Sequence, residues 1–179
     1  MSGAFVISEL LLVLRKRSKS LEAKNDRHTL PLLWLVITAS ICVGFFLRGT
    51  LPQGHLSHPQ IFYTIGLILM VLGLVVRWLA IIHLGRFFTV NVSIAKDHQL
   101  ITTGPYRYVR HPSYSGTLLM FLGFALCMLN IFSLAAVLLP ILIAFLWRMH
   151  VEEEALEAAL GDRYQSYTES TYRLIPYLY

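Results

Sequence analysis

The chain has 179 residues, of which 56% are hydrophobic and 14% charged. A soluble domain carries about 25% charged residues, so an ordinary water-soluble globule is excluded and lipid becomes the solvent for much of the chain. The net charge of +5 does not point to nucleic acid, because the basic residues lie in the connections between apolar runs, which is a membrane-topology pattern.

In chain order, residues 4–14 form an apolar stretch that precedes a basic cluster of Arg15, Lys16, Arg17, Lys19, Lys24 and Arg27. A cleavable signal peptide has the reverse order. A membrane crossing needs roughly 17–25 helical residues, so this first run is too short to span by itself. Glu9 within it is expected to face protein or the interface rather than lipid.

Residues 30–47 and 61–84 meet the length requirement and are nearly free of charge until their ends. Arg77, inside the second run, is read as snorkelling toward the cytoplasmic end, with Glu9 as its alternative partner. Cys42 and Cys127 lie inside apolar runs and read as small hydrophobes, not as a disulfide or metal pair. His55 and His58, on the connection 48–60, bring no third ligand, so no metal site is expected.

The segment 85–116 is dense in polar and rigid residues. Gly104-Pro105 signals a turn. Pro112 biases His111 toward an extended backbone and can begin the next helix. His111 and Tyr114 then lie near a helix N-terminus, which favours an anion such as a carboxylate. The same composition also suits plain membrane re-entry, with arginines for lipid phosphates and tyrosines for the interfacial belt.

The next apolar run, 114–147, has 34 residues. As one helix it would be about 51 Å long, too long for one upright crossing. The run pauses at LNIFS, so a hairpin of two short, tilted helices turning at Asn130 is expected, ahead of a single helix kinked at Pro140. Beyond it, Arg148 and Glu152 share a helix face. Val151, Ala155, Leu156, Ala159, Leu160 and Tyr164 form an apolar stripe. Glu152, Glu153 and Glu154 would be repelled by anionic lipid unless they met a partner such as an ammonium group; a solvated, ion-paired helix is the simpler alternative.

The basic residues place 15–29, 85–113 and the tail in the cytoplasm. The expected architecture is all-α and polytopic: about five membrane helices, the first short, a C-terminal helical hairpin, and a cytoplasmic amphipathic tail helix. Residues 1–84 form an N-terminal membrane region and 85–179 a catalytic region. No phosphate-binding glycine loop, H-E-x-x-H or G-x-S-x-G sequence is present.

Arg110-His111-Pro112-Ser113-Tyr114, a hydrophobic hairpin, then Glu152-Glu153 resembles the R-H-P-x-Y…E-E signature of the isoprenylcysteine carboxyl methyltransferases. The likeness covers 85–179 and extends to a prokaryotic branch of those integral-membrane enzymes. It implies S-adenosylmethionine as cofactor, S-adenosylhomocysteine as product, and no metal. It implies cofactor contacts at Asn91, His98, Gln99, Leu100, Ile101, Tyr106, His111, Pro112, Ser113, Tyr114, Glu152 and Glu153. Arg148 would hold the acceptor's carboxylate and, with Arg110, make up the catalytic set. The acceptor would be lipophilic and enter from the bilayer among membrane lipids, with selectivity in 1–84. The cofactor site would face the cytoplasm from a plasma or inner membrane. Amine or thiol methylation, and a sterol-reductase-like NADPH enzyme, stand as alternatives.

Overall fold

The computed structural model describes residues 29–85 and 100–179; the calls on 4–14, Glu9, Asn91, His98 and Gln99 lie outside them. Among the described residues five α-helices follow in order: α1 (Thr29–Thr50), α2 (Pro59–Leu84), α3 (Pro112–Cys127), α4 (Ile131–Leu160) and α5 (Asp162–Ser170). Helices α1, α2 and α4 are long and apolar enough to cross a membrane, and α3 is a shorter apolar helix of 16 residues. Only 22% of the apolar window of α1, and the same share of α2, is buried inside the protein. The rest of their side chains are half-buried or exposed, Phe46, Val71 and Ile82 among the exposed ones, as helices solvated by lipid require.

The bundle is built from two antiparallel pairs, α2 with α3 and α1 with α4, joined through the α3–α4 hairpin. Glycines set the first pair. Gly66 and Gly73 on α2 meet Gly123 and Gly116 on α3, each seven residues apart. A Cβ built on Gly73 would lie 2.5 Å from the Gly116 carbonyl oxygen, and one on Gly116 would lie 2.6 Å from the Arg77 backbone nitrogen. With lipid on both sides there is little hydrophobic gain in helix association, so close backbone approach and dispersion must supply the attraction. Residues 66, 73, 116 and 123 therefore position everything that α3 carries.

The turn at Asn130 forms as expected. Asn130 caps α4, its Oδ1 accepting from the Phe132 and Ser133 backbone N–H at 3.0 and 3.1 Å. Its Nδ2 donates to the Leu51 carbonyl at 2.9 Å, and the Leu56 N–H donates to Leu129 at 3.0 Å. The hairpin tip is thus pinned to the α1–α2 connection.

Three expectations change. The second hairpin helix is not short: α4 runs unbroken for 30 residues, through Pro140 and on to Leu160. Its later turns are rich in Ala, Glu and Leu, which favour helix, and it stops where Gly161 adopts φ +54°. The expected tail helix is therefore split between the end of α4 and α5. Second, the buried stripe of α4 runs Ser133, Val137, Ile141, Phe145, Met149, Glu153, every fourth residue, while Ala159 is exposed and Val151, Ala155 and Leu156 are half-buried. A stripe begun inside the membrane continues into the tail and selects Glu153; of the apolar residues counted from Val151, Leu160 is half-buried and Tyr164, beyond α4, is buried as expected. Third, Arg77 does not snorkel. It is buried, and its Nη1 donates to Thr117 Oγ1 at 2.6 Å and Ser113 Oγ at 3.2 Å. The thinness of the glycine interface brings those hydroxyls within reach.

Candidate active site

At the end of the bundle away from Asn130, three segments converge: the turn 104–111 with the start of α3, the last turns of α4, and the strap 171–174 that follows α5. The GPYR turn seats against the end of α2. Gly104, at φ +58°, leaves room for the His83 ring, whose Nε2 lies 2.9 Å from Thr103 Oγ1. Tyr106 is buried against His83 and reaches the Ala80 carbonyl at 3.4 Å, and its own carbonyl accepts from Tyr167 at 2.6 Å. Burial pushes the Tyr167 phenol up to about 12 and Tyr106 above the ordinary phenol range, so both stay protonated at neutral pH and neither is a base.

Pro112 is the first residue of α3, with His111 at its N-cap. Tyr114 stands one turn in. Its hydroxyl accepts from Arg148 Nε at 3.1 Å and donates to Glu152 Oε2 at 2.9 Å. Arg148 is buried, and its Nη1 donates to Thr29 Oγ1 at 3.0 Å. The i,i+4 pair read from the sequence is thus real as a shared face, but a tyrosine from another helix bridges it.

Glu153 is a second hub, one residue on. Its Oε1 lies 3.0 Å from both Arg110 Nε and His111 Nε2, and Arg173 bonds both of its oxygens. Arg110 also donates from Nη1 to the Thr168 and Thr171 carbonyls at 2.9 and 2.7 Å. The resemblance placed Glu153 in the E-E signature and among the cofactor contacts, and did not anticipate its partners Arg110, His111 and Arg173.

The expected site residues therefore divide. Tyr114, Glu152 and Arg148 meet directly. His111 and Glu153 pair beside them, the His111 ring stacked 5.5 Å from Tyr114. Leu100 and Ile101 are half-buried before the turn. Pro112 is buried, and Ser113 is buried against α2, accepting from Arg77. Tyr106 is enclosed by α2 and α5. Arg110, expected among the catalytic residues, bonds Glu153 and the Thr168 and Thr171 carbonyls at the C-terminal end of α5. One further residue belongs to the neighbourhood: the Tyr164 hydroxyl is buried with no hydrogen-bond partner among the described residues. Burial first, then the Glu153 charge, raises its pKa above the ordinary range. An orphaned buried hydroxyl costs about 1–3 kcal/mol. Among the described residues no group of three His, Cys, Asp or Glu could hold a metal ion.

Comparison with known proteins gives this geometry its context. The isoprenylcysteine carboxyl methyltransferase (ICMT) family profile matches residues 65–158. The chain belongs to the ICMT family. The match takes in α3, the hairpin and the Arg148–Glu153 turn of α4. A probable protein-S-isoprenylcysteine O-methyltransferase of Oryza sativa subsp. indica is 34% identical over 116 residues, 64% of this chain and 61% of the rice protein. The protein-S-isoprenylcysteine O-methyltransferase of Tribolium castaneum is 34% identical over 147 residues, 81% of this chain and 52% of that one. A solved structure of the eukaryotic intramembrane Ras methyltransferase ICMT superposes with a TM-score of 0.73 at 27% identity, covering 97% of this chain and 63% of that chain. The chain thus spans between about half and two thirds of the length of these ICMT relatives. All three are eukaryotic, so the expectation of a prokaryotic branch finds no support in them.

Proposed function

We propose that the chain is a membrane carboxyl methyltransferase that moves a methyl group from S-adenosylmethionine to the carboxylate of a lipophilic, isoprenylcysteine-like acceptor at the cytoplasmic face. The observation that carries this reading is Tyr114. One phenol joins the R-H-P-x-Y segment to Glu152 and to Arg148, the residues expected to serve cofactor and acceptor respectively.

The donor set fits such a cofactor. Glu152, half-buried, suits an ammonium or a ribose hydroxyl. His111 and the first turn of α3 suit a carboxylate. The Tyr164 hydroxyl, buried and without a hydrogen-bond partner among the described residues, marks a place where a polar ligand atom would be rewarded. When bound, the cofactor supplies an electrophilic methyl on a sulfonium, and the residues of this chain do the rest. An acceptor carboxylate, with an unperturbed pKa of about 4, is already the anion at neutral pH. No side chain has to remove a proton, which agrees with the protonated state of Tyr106 and Tyr167. Arg148 presents a planar fork to the carboxylate, and Tyr114 and Thr29 hold that plane. The contribution of the protein is alignment and exclusion of water.

Calorimetry of the detergent-purified protein with S-adenosylhomocysteine tests the cofactor half. Glu152→Ala removes a charged partner, and we expect affinity to fall by about tenfold or more; His111→Ala should also weaken binding. Wild-type affinity in both variants would defeat the assignment.

A further inference from the structure

We propose that Arg173, on the strap that follows α5, is a positioning residue that acts through Glu153 to seat His111. This rests on the cofactor reading above, because it concerns the same site.

The strap is built into the R-H-P segment by its backbone. Arg110 N–H donates to the Tyr172 carbonyl at 2.8 Å, His111 N–H to the Arg173 carbonyl at 3.1 Å, and Tyr172 N–H to the Tyr108 carbonyl at 3.1 Å. Ser115 Oγ donates to the Leu174 carbonyl at 2.6 Å, and Leu174 is buried in the core with Phe145 and Met149. Arg173 is therefore delivered to Glu153 at a fixed height.

A carboxylate on the end of a Glu side chain turns freely about its last torsion. Three groups crowd Oε1: Arg110, His111 and Arg173 Nε, the last at 3.2 Å. Arg173 Nη2 holds Oε2. The two-point grip of one guanidinium on both oxygens fixes the carboxylate plane. That plane in turn points Oε1 at the imidazole and sets the ring that stacks on Tyr114. Arg110 cannot substitute, because its Nη1 is committed to the Thr168 and Thr171 carbonyls. The contacts run Arg173, Glu153, His111, Tyr114, and from there to Glu152 and Arg148. The far end of the sequence thereby sets the geometry of a motif some sixty residues earlier, as outer partners do for ligating histidines.

The test is a double-mutant cycle on the full chain, read by S-adenosylhomocysteine calorimetry. Arg173→Ala should weaken binding about tenfold, the worth of one charge-assisted hydrogen bond. Arg173→Lys should recover only part, since lysine lacks the fork. If Arg173 works through Glu153, Arg173→Ala combined with Glu153→Gln binds no worse than Glu153→Gln alone. Arg163→Ala removes the same charge from an exposed position on α5 without touching the strap or Glu153, and should leave affinity unchanged. Wild-type affinity in Arg173→Ala, independent losses that multiply, or an equal loss in Arg163→Ala would each overturn the proposal. A second readout needs no ligand: the imidazole nitrogen resonances of His111, assigned with His111→Asn. They should move in Arg173→Ala and stay in Arg163→Ala; unmoved resonances in Arg173→Ala overturn the positioning role. If the wild type does not bind S-adenosylhomocysteine, the cofactor reading fails while these resonances still decide whether Arg173 positions His111.

Discussion

Arg148→Ala should lower kcat/KM for an isoprenylcysteine-like acceptor by about 100-fold, the usual scale for losing a buried hydrogen-bonded charge. Arg148 is 3% exposed and is held by Tyr114 and Thr29, so its plane is set before any acceptor arrives. Affinity for S-adenosylhomocysteine should fall as well, because Tyr114 loses a donor while still serving Glu152. The acceptor effect should exceed the cofactor effect by at least about tenfold, since the first loses a charged contact and the second one indirect bond. Arg148→Lys keeps the charge without the fork and should restore folding more completely than turnover. Steady-state kinetics beside calorimetry reads both quantities, and equal losses would remove Arg148 from the acceptor.

The second large effect lies away from the chemistry. Gly73→Leu forces a side chain where even a Cβ stands 2.5 Å from the Gly116 carbonyl oxygen and 2.7 Å from the Met120 backbone nitrogen. Backbone atoms cannot step aside as a flexible side chain does, so α2 and α3 must separate. Overpacking of tight sites costs about 1–3 kcal/mol, and we expect the upper end or beyond. Gly49→Leu is the size-matched control, because a Cβ there meets nothing within 4 Å. Thermal unfolding in detergent should drop sharply for Gly73→Leu and hardly at all for Gly49→Leu. Similar melting of the two would mean that the close helix approach does not hold the bundle.

The same glycines show where sequence reading stops. Spans α1 and α2 were legible because about twenty apolar residues in a row have one physical use. The hairpin turn was legible because Asn130 interrupts such a run and caps well. The resemblance implied that Tyr114 and Glu152 serve one cofactor and Arg148 the acceptor; that one phenol bonds both side chains was not legible. Features that depend on register between helices were not legible. Gly66, Gly73, Gly116 and Gly123 look unremarkable until α2 and α3 are laid antiparallel. Arg77 looked like a lipid-facing cation near a helix end, and only that same approach turns it toward Ser113 and Thr117. Glu153 and Arg173 are separated by 20 residues and a helix break at Gly161, so no local pattern joins them. Arg110 was read with its neighbours in the signature, and no local pattern showed that its side chain also bonds the carbonyls of Thr168 and Thr171 at the end of α5.

The most direct test of the account is a methyl-transfer assay. The purified protein in lipid nanodiscs would receive S-adenosylmethionine labelled in its methyl group and an N-acetylated farnesylcysteine. A carboxyl methyl ester is cleaved by base to volatile methanol, whereas an N- or S-methyl group is not. The account predicts acceptor-dependent label that base releases, greatly reduced in Arg148→Ala. Label that withstands base, or no transfer from a protein that binds S-adenosylhomocysteine, would contradict it.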